Sequence, residues 1–329
     1  MVDVTVIIPV HNVEQYLERC LDSLIEQDYD KKKMEIFVID DGSTDRSVDI
    51  VKKYEKIYSF ITAKYLEENR GVSNARNIGI RECKGEYIVF CDADDYYEKN
   101  SISIFMKEVK QRKADVVIAN YFISNDNKSI KVNTTKYFSK DQIKKEEIIS
   151  YMTLTSCSKI VKKELFIKNN IYYPTNIKRC EELTVIPVVA YLAQNPVAID
   201  ETLYHYYQRK TSASNNNTRD SKVENLECYD KTFEIFSRII DSDKYKEEIE
   251  FRAIEHLFYS KMLVMFKSEA DKIEITNEIK KFKKKYPQFL KNKYLKRYNK
   301  AKIIFIKLLN YKLLFLAKIF VDIHAKLTG

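Results

Sequence analysis

The sequence is poor in the residues that interrupt secondary structure and in patterns that bind zinc. It has only 5 glycines and 5 prolines in 329 residues. None of its 6 cysteines forms a Cys-x-x-Cys pair or has a histidine at zinc-ligand spacing. A zinc site and a disulfide framework are therefore not expected, and we predict free thiols in a reducing cytosol.

Long apolar runs are also missing. No stretch reaches the roughly 18 charge-free apolar residues that a membrane-spanning helix needs, and we see no secretory signal pattern at the N-terminus. Hydrophobic residues nevertheless make up 45% of the chain and charged residues 32%. This balance is typical of a globular protein and excludes a disordered or polytopic membrane class.

Acidic residues are scarce in one part of the chain only. Residues 280–329 hold fifteen Lys and Arg and a single acid, Asp322, whereas the rest holds 42 basic and 47 acidic residues. The formal net charge of +9 therefore originates in the last fifty residues. We predict no nucleic-acid partner, because the excess charge belongs to one terminal extension.

The first third of the chain alternates buried strands with short helices. Apolar runs predict strands at 4–9, 35–40, 60–66, 86–91 and 116–121. This alternation predicts an α/β fold with a mostly parallel, Rossmann-like sheet covered by helices on both faces. The middle, about 124–214, is less regular, and helical periodicity dominates after the polar run 214–218. We place a domain boundary near residue 218, between a domain at 1–218 and a helical, basic region at 219–329.

Glycine is concentrated in one segment. Four of the five glycines, Gly42, Gly71, Gly79 and Gly85, fall between residues 42 and 85. Glycine permits positive φ and close approach of a backbone. We therefore expect that the backbone of this segment needs glycine, either for a positive φ or for close approach to a ligand.

Polar and acidic clusters follow three of the predicted strands. His11 and Glu14 follow the first strand, Asp41 follows the second, and Asp92-Ala93-Asp94-Asp95 follows the fourth. In open α/β sheets, ligands bind at the edge formed by the C-terminal ends of the strands. Three carboxylates in four residues repel one another unless a cation such as Mg²⁺ or Mn²⁺ neutralises them. A solvated loop is the alternative interpretation.

The segment 69–80 lies between the second and third clusters. It combines glycines with Asn74 and Arg76, whose planar guanidinium suits a phosphate or a pyrimidine edge. A surface loop that runs into a short helix is the alternative.

These motifs together resemble a known family. Val-Ile-Ile-Pro-Val-His-Asn at 6–12, Asp-Asp-Gly-Ser-Thr-Asp at 40–45, Gly-Val-Ser-Asn-Ala-Arg-Asn-Ile-Gly at 71–79 and Asp-Ala-Asp-Asp at 92–95 resemble the inverting family 2 glycosyltransferases of GT-A fold. The resemblance covers about residues 3–215. It implies a nucleotide- and metal-binding part at 1–98, an acceptor-side part at 99–218, a UDP-sugar donor, and Mn²⁺ or Mg²⁺.

The resemblance also implies roles for individual residues. Asp94 would ligate the metal, Asp41 would accept from the uracil imide, and Arg76 would lie near the uracil or the phosphates. The nucleotide-sugar-binding residues it implies are Pro9, His11, Glu14, Asp41, Asn74, Arg76, Asp92, Ala93, His205 and Arg209.

The general base is the main departure from the family pattern. The family has a Glu-Asp pair whose Asp is the base, and Glu181-Glu182 stands there in this chain. We assign the catalytic base to Glu182, although its extra methylene moves the carboxylate by about 1 Å. The alternative role for the pair is favourable charge at a helix N-terminus. A second departure is Tyr207, which stands where the family has Arg. The second Arg of the family pattern is retained as Arg209. His205 is either a contact of the diphosphate or a packed residue.

The basic C-terminal region shows a further pattern. Apolar residues recur at spacings of three and four at Ile306, Leu309, Leu313, Leu316, Phe320, Ile323 and Leu327. They predict an interfacial helix on an anionic membrane surface. A coiled-coil seam in a homo-oligomer, or packing onto the catalytic domain, is the alternative.

We predict that the protein is a cytoplasmic enzyme that binds the inner face of the cell membrane. It would add a hexosyl or N-acetylhexosaminyl group to a glycan or lipid-linked acceptor of a capsule, another exopolysaccharide or teichoic acid. The alternative is a catalytically weakened, nucleotide-sugar-binding partner of an assembly complex, which the Glu182 and Tyr207 departures motivate.

Overall fold

The chain folds into two compact units. The computed structural model describes residues 1–177, 180–209, 219–268 and 270–328. The units are Met1–Ser212 and Ala213–Gly329. The polar run 214–218, which the sequence predicts as a linker at the domain boundary, lies outside the described residues.

A nine-stranded mixed sheet organises the first unit. Its strands are β1 (Val4–Val10), β2 (Met34–Asp40), β3 (Ile61–Tyr65), β4 (Tyr87–Phe90), β5 (Tyr96–Tyr97), β6 (Val116–Ser124), β7 (Ser129–Val132), β8 (Lys159–Lys162) and β9 (Pro196–Tyr207). Their order across the sheet is β3-β2-β1-β4-β8-β6-β9-β5, with β7 paired to β6. Strands β1 to β4 are parallel, as are β6 and β9, whereas β5, β7 and β8 pair antiparallel with their neighbours.

Helices connect these strands. They are α1 (Glu14–Ile25), α2 (Ser47–Ile57), α3 (Val72–Glu82), α4 (Ser101–Arg112), α5 (Lys145–Tyr151), α6 (Lys163–Lys168) and α7 (Ile186–Leu192). All residues of β2 and β4 are buried, as expected for continuous apolar strands in a parallel sheet. The predicted α/β class with a parallel N-terminal half is confirmed.

The middle of the chain is more regular than its sequence indicates. Strand β9 runs for 12 residues and lies parallel to β6, with Val116 opposite Pro196. Strand β8 fills the gap between β4 and β6. These pairings join residues far apart in sequence, so local periodicity carries little information about them.

The clustered glycines serve two structural purposes. Gly42 and Gly71 have φ of +68° and +89°, which side chains rarely tolerate. At Gly79 and Gly85, an added Cβ would lie 2.4 Å from Ile7 Cγ2 and 2.4 Å from the Thr5 backbone nitrogen, respectively. Helix α3 and the turn before β4 therefore pack tightly against β1.

The second unit is helical. Its helices are α8 (Arg219–Ile239), α9 (Lys246–Ala253), α10 (Lys261–Lys267), α11 (Lys272–Lys285), α12 (Lys300–Asn310) and α13 (Leu314–Thr328), and a π-helical stretch, Ile254–Ser260, joins α9 to α10. Phe236, Phe258, Phe289 and Phe305 are fully buried in this unit. Across the described part of the chain, no helix combines the length and apolarity needed to cross a bilayer.

The single amphipathic helix predicted from the apolar spacing over residues 306–327 is wrong, because two helices cover this segment. Helix α12 ends at Asn310, Lys312 adopts a positive φ of 58°, and α13 begins at Leu314. Among residues 314–323, the part of α13 whose side chains the structure describes, Ala317 and Val321 are buried, whereas Leu316 and Ile323 of the predicted apolar pattern are 47% and 54% exposed. Because of the break at 311–313, a single apolar periodicity does not describe the buried positions of both α12 and α13.

Candidate active site

Polar segments meet where β1 and β2 end. Val10, the last residue of β1, lies opposite Asp40, the last of β2. The next backbone nitrogen, of Asp41, donates to the Val10 carbonyl at 2.8 Å. His11 Nδ1 lies 2.9 Å from the Asp41 carbonyl oxygen. The parallel register thus joins two of the predicted clusters.

The Asp41 carboxylate shapes the loop before α3. It is buried and accepts from the backbone nitrogens of Arg70 and Gly71 at 2.9 and 2.7 Å. Gly71 is the residue with φ of +89°. Asp41 therefore orients the start of α3. Pro9, next to the last residue of β1, is half-buried.

The residues after β1 differ in how available they are. The Glu14 carboxylate accepts from the backbone nitrogen of Arg46 at 2.9 Å and pairs with its Nε at 3.3 Å. Asn12 Oδ1 accepts from the Thr44 nitrogen at 2.8 Å. His11 is exposed, and its Nε2 lies 3.2 Å from Asn12 Nδ2, whereas Glu14 is held against the turn before α2.

Arg76 of α3 joins two groups of carboxylates. It is only 4% exposed. Its Nη2 donates to Asp92 at 2.9 Å, and its Nη1 lies 3.3 Å from Glu181 and 3.8 Å from Glu182. The guanidinium also lies 5.3 Å from the centre of the Tyr173 ring. Arg76 therefore connects the end of β4 to the predicted base.

Buried donors near Arg76 lack acceptors. Asn74 Nδ2 and Arg76 Nε have no hydrogen-bond partner among the described residues. Both belong to the first part of α3, whose N-terminal end favours negative charge. A phosphate-bearing ligand is the kind of group that would satisfy such donors.

The carboxylates after β4 lie in a strongly negative environment. Burial and the neighbouring Asp92 raise the pKa of Asp94, whose side chain pairs with Arg209 Nε at 2.9 Å. Ala93, between them, is buried and has no polar side-chain atom. Arg209 is the cation that partly compensates Asp94.

The last aspartate of the motif has a structural role. Asp95 is 1% exposed and accepts from the Tyr204 hydroxyl and, at 2.7 Å, from the Tyr207 backbone nitrogen. Arg19 lies 3.9 Å from the centre of the Tyr207 ring. Tyr207, the departure from the family pattern, thus helps attach β9 to the Asp92–Asp95 segment. These contacts were not predicted from the sequence, in which the repeated tyrosines at 204–207 are their only signal.

The donor atoms fit a hard divalent cation. Among the described residues, Asp92, Asp95 and Cys157 bring ligand atoms within 4.8 Å of one another. Burial raises the pKa of the Cys157 thiol well above its usual value, so it stays protonated, and Asp95 already has two donors. Of this cluster, Asp92 therefore has the carboxylate best suited to Mg²⁺ or Mn²⁺, whereas Asp94, the metal ligand that the motif predicts, is not part of the cluster and pairs with Arg209.

The Glu181-Glu182 pair lies in a short 3₁₀ helix, Glu181–Thr184. Burial and the neighbouring Glu182 raise the pKa of Glu181 to about 7. Glu182 is half-buried, and its Oε1 accepts from both the backbone nitrogen and the Oγ of Ser156 at 2.7 Å. The sequence offered no signal for Ser156.

His205 is a packed residue in this structure. Its Nδ1 lies 2.8 Å from Ser124 Oγ and its Nε2 lies 2.6 Å from Glu98 Oε1. Its ring stacks on Tyr96 and Phe122 at centroid distances of 4.3 and 4.7 Å. With both ring nitrogens occupied, it has no donor for a diphosphate, so this geometry favours the packing interpretation.

Comparison with known proteins identifies the family. The family model described as glycosyl transferase family 2 matches residues 5–169, about half of the chain. The chain belongs to this family. The family expected from its motifs is therefore confirmed.

Two curated relatives illustrate its place in family 2. Glycosyltransferase GlyA of Streptococcus pneumoniae is 32% identical over 224 residues, which is 64% of this chain and 31% of GlyA. TarS of Staphylococcus aureus, a poly(ribitol-phosphate) beta-N-acetylglucosaminyltransferase, is 29% identical over 210 residues, 64% of this chain and 36% of TarS. The chain thus spans about a third of the length of these two relatives.

Solved structures confirm the fold. The crystal structure of Staphylococcus aureus TarS 1-349 with UDP-GlcNAc matches with a TM-score of 0.73 and 20% identity, and the match covers 98% of this chain and 92% of that one. A mannosyltransferase from Pyrobaculum calidifontis matches with a TM-score of 0.59 and 16% identity, covering 97% of this chain and 86% of that one. The glycosyltransferase therefore has the predicted GT-A fold followed by a helical region.

Proposed function

We propose that this glycosyltransferase moves a hexosyl or N-acetylhexosaminyl group, with inversion, from a UDP-sugar to a hydroxyl of a glycan or lipid-linked acceptor of a cell-surface polysaccharide. The observation that carries the proposal is the bridge formed by Arg76. This single buried guanidinium joins Asp92, at the edge where a diphosphate would bind, to Glu181 and Glu182. In the proposed enzyme, the leaving-group site and the base would therefore lie on two sides of one cation.

The donor side uses the groups around β1, β2 and α3. His11, Asp41 and Asn74 would contact the nucleoside or diphosphate, with Pro9 and Glu14 shaping the pocket. Asp92 and Asp94 would hold Mn²⁺ or Mg²⁺, which neutralises charge on the departing diphosphate. Arg209, which pairs with Asp94 at 2.9 Å, would supply a guanidinium for the phosphates.

The acceptor side uses Glu182. Its carboxylate would take the proton of the acceptor hydroxyl while the acceptor oxygen bonds to the anomeric carbon and the bond to the diphosphate breaks. UDP leaves, and the new linkage has the opposite anomeric configuration. The names of the relatives support a surface-polymer acceptor: besides TarS, they include a Bacillus poly(ribitol-phosphate) beta-glucosyltransferase and a minor teichoic acid biosynthesis protein.

Thermal unfolding with UDP, UDP-glucose and UDP-N-acetylglucosamine tests the donor proposal. With Mn²⁺ present, a ligand at 100 times its Kd should stabilise the folded enzyme by about 2.7 kcal/mol. Asp94→Asn should weaken the metal-dependent part of this shift. Asp49→Asn, an exposed carboxylate in α2, is the matched control and should behave like the wild type.

The outcomes separate the donor from the metal. If no uridine nucleotide shifts the unfolding temperature, the donor proposal is wrong. If the shift is the same without Mn²⁺ and in Asp94→Asn, the donor proposal stands but Asp94 does not hold a metal. Donor binding without any sugar transfer would favour the alternative of a catalytically weakened binding partner.

We also propose that the second unit attaches the enzyme to the anionic inner face of the membrane. Large exposed apolar side chains concentrate at Ile304, Tyr311, Leu313, Phe315, Leu316, Ile319 and Ile323. A groove of about 520 Å³ in the same unit has six apolar or aromatic lining residues and three lysines, Lys296, Lys300 and Lys307, with no acid. Apolar surface bordered by lysines is complementary to an anionic bilayer.

Vesicle cosedimentation tests the membrane proposal. Phe315→Glu combined with Ile319→Glu should lower affinity for phosphatidylglycerol vesicles by tenfold or more, because each change removes apolar burial and adds repulsion. Ile57→Glu, at a 61% exposed isoleucine of the first unit, should have no effect. Unchanged vesicle binding would refute the proposal, and a loss of oligomer mass instead would assign this surface to a homo-oligomer.

A further inference from the structure

The carboxylate of Glu182 is held at one oxygen by a buried serine. Ser156 lies in the segment between α5 and β8 and is fully buried. Its backbone nitrogen and its Oγ both donate to Glu182 Oε1 at 2.7 Å. Hydrogen bonds to a charged group are among the stronger ones in proteins. Two of them on one oxygen restrict the rotation of the terminal Glu182 bond.

A tyrosine fixes the direction of the serine hydroxyl. Tyr173 OH lies 2.6 Å from Ser156 Oγ and is 1% exposed. Burial raises the pKa of Tyr173, so the phenol keeps its proton and can donate it to Ser156. Ser156 then has its own proton left for Glu182. The result is a chain of donors that ends on the carboxylate.

Helix α3 supports the far end of this chain. Asn77 Oδ1 accepts from the Tyr173 nitrogen, and Asn77 Nδ2 donates to the Tyr173 carbonyl, both at 2.8 Å. Arg76, the preceding residue, contacts Asp92. The same helix that reaches the proposed diphosphate site therefore also holds Tyr173 in place behind Ser156.

We propose that Ser156 is a positioning residue for the general base: it holds Oε1 so that Oε2 of Glu182 faces the acceptor hydroxyl. The inference rests on the proposed function, in which Glu182 is the base. A glutamate has one more rotatable bond than an aspartate and more conformational freedom to lose. Because a displacement of about 1 Å can cost about 10²-fold in rate, a longer base benefits from such a restraint.

Ser156→Ala tests the inference, because it removes Oγ and keeps the backbone donor. The readout is UDP release from UDP-glucose and UDP-N-acetylglucosamine with Mn²⁺, as a function of pH. We expect kcat to fall about tenfold with the KM for the donor unchanged. The acid limb of the kcat profile should move upward by about one pH unit, since the ionised base loses a donor.

Ser158→Ala is the matched control. Ser158 is 1% exposed, and its Oγ donates to the carbonyls of Ala119 and Asn120 rather than to Glu182. Ser158→Ala should therefore leave the acid limb of the kcat profile at its wild-type pH. The charged and titratable groups around Glu182, namely Arg76, Glu181, Lys159 and Tyr173, are retained in both variants.

Two further variants make the result decisive. Tyr173→Phe removes the hydroxyl that donates to Ser156. It should shift the acid limb of the kcat profile in the same direction as Ser156→Ala but by a smaller amount. This variant tests the inference if Ser156→Ala fails to fold. In a Glu182→Gln background, Ser156→Ala should change kcat no further. An unchanged acid limb in folded Ser156→Ala, or equal effects of Ser156→Ala and Ser158→Ala, would overturn the inference. Full activity of Glu182→Gln alone would instead overturn the proposed function.

Discussion

Replacing Glu182 with Gln is expected to slow sugar transfer by about 10³-fold, within the range that general-base catalysis contributes. The amide has nearly the same shape, and its oxygen can still accept from Ser156 N and Oγ, so the fold should be retained. It cannot take a proton from the acceptor hydroxyl. Single-turnover rates at saturating donor, compared with wild type, measure the effect.

Glu181→Gln is the control for this prediction. Glu181 is 8% exposed and pairs with Arg76 at 3.3 Å, so it acts on the electrostatic environment rather than on the acceptor. Its replacement should lower kcat much less than Glu182→Gln. The opposite ranking of the two variants would mean that Glu181, with its pKa of about 7, is the base.

Arg76→Met is expected to lower the free energy of unfolding by about 3–5 kcal/mol, the usual cost of removing one partner from a buried ion pair. Asp92 and Glu181 would lose their common cation, and Glu182 would lose a nearby positive charge. Urea denaturation measures the change. Arg46→Met, which breaks the exposed pair with Glu14, should cost at most about 1 kcal/mol.

The loss in Arg76→Met should depend on pH. Folding already raises the pKa of Glu181 to about 7, and removing the cation raises it further. A carboxyl whose folded pKa exceeds its unfolded value destabilises the protein as pH rises through that interval. The deficit should therefore be smaller near pH 5 than above pH 7, where Glu181 is ionised. A deficit independent of pH would indicate lost packing rather than unpaired carboxylates.

The local signals in the sequence predicted the N-terminal half well. Strands β1, β2 and β4 are continuous apolar runs, and the acidic segment Asp92–Asp95 directly follows the last of them. Such features depend on neighbours within a few residues, and chain order sets the parallel arrangement of β1 to β4. The family, the fold class and the aspartate-rich edge were therefore within reach of sequence reasoning.

Contacts between segments that are distant in the sequence could not be predicted from local sequence patterns. Ser156 reaches Glu182 across 26 residues, and Arg76 reaches Glu181 across 105. The His205 ring packs on Tyr96 and Phe122, which come from two other strands. The positive φ at Lys312 separates two helices that share one apolar periodicity.

The amino-acid sequence by itself determined which chemical groups stand at the strand ends: aspartates suited to a cation, an arginine and an asparagine suited to a diphosphate, and a glutamate in place of the expected aspartate base. Only the tertiary structure decided how those groups are paired. Arg76 bridges Asp92 and Glu181, Ser156 holds Glu182, and Arg209 compensates Asp94. The physical reason is that side-chain identity follows from local sequence, whereas hydrogen-bond partners and buried charges depend on which distant segments the folded sheet brings into contact.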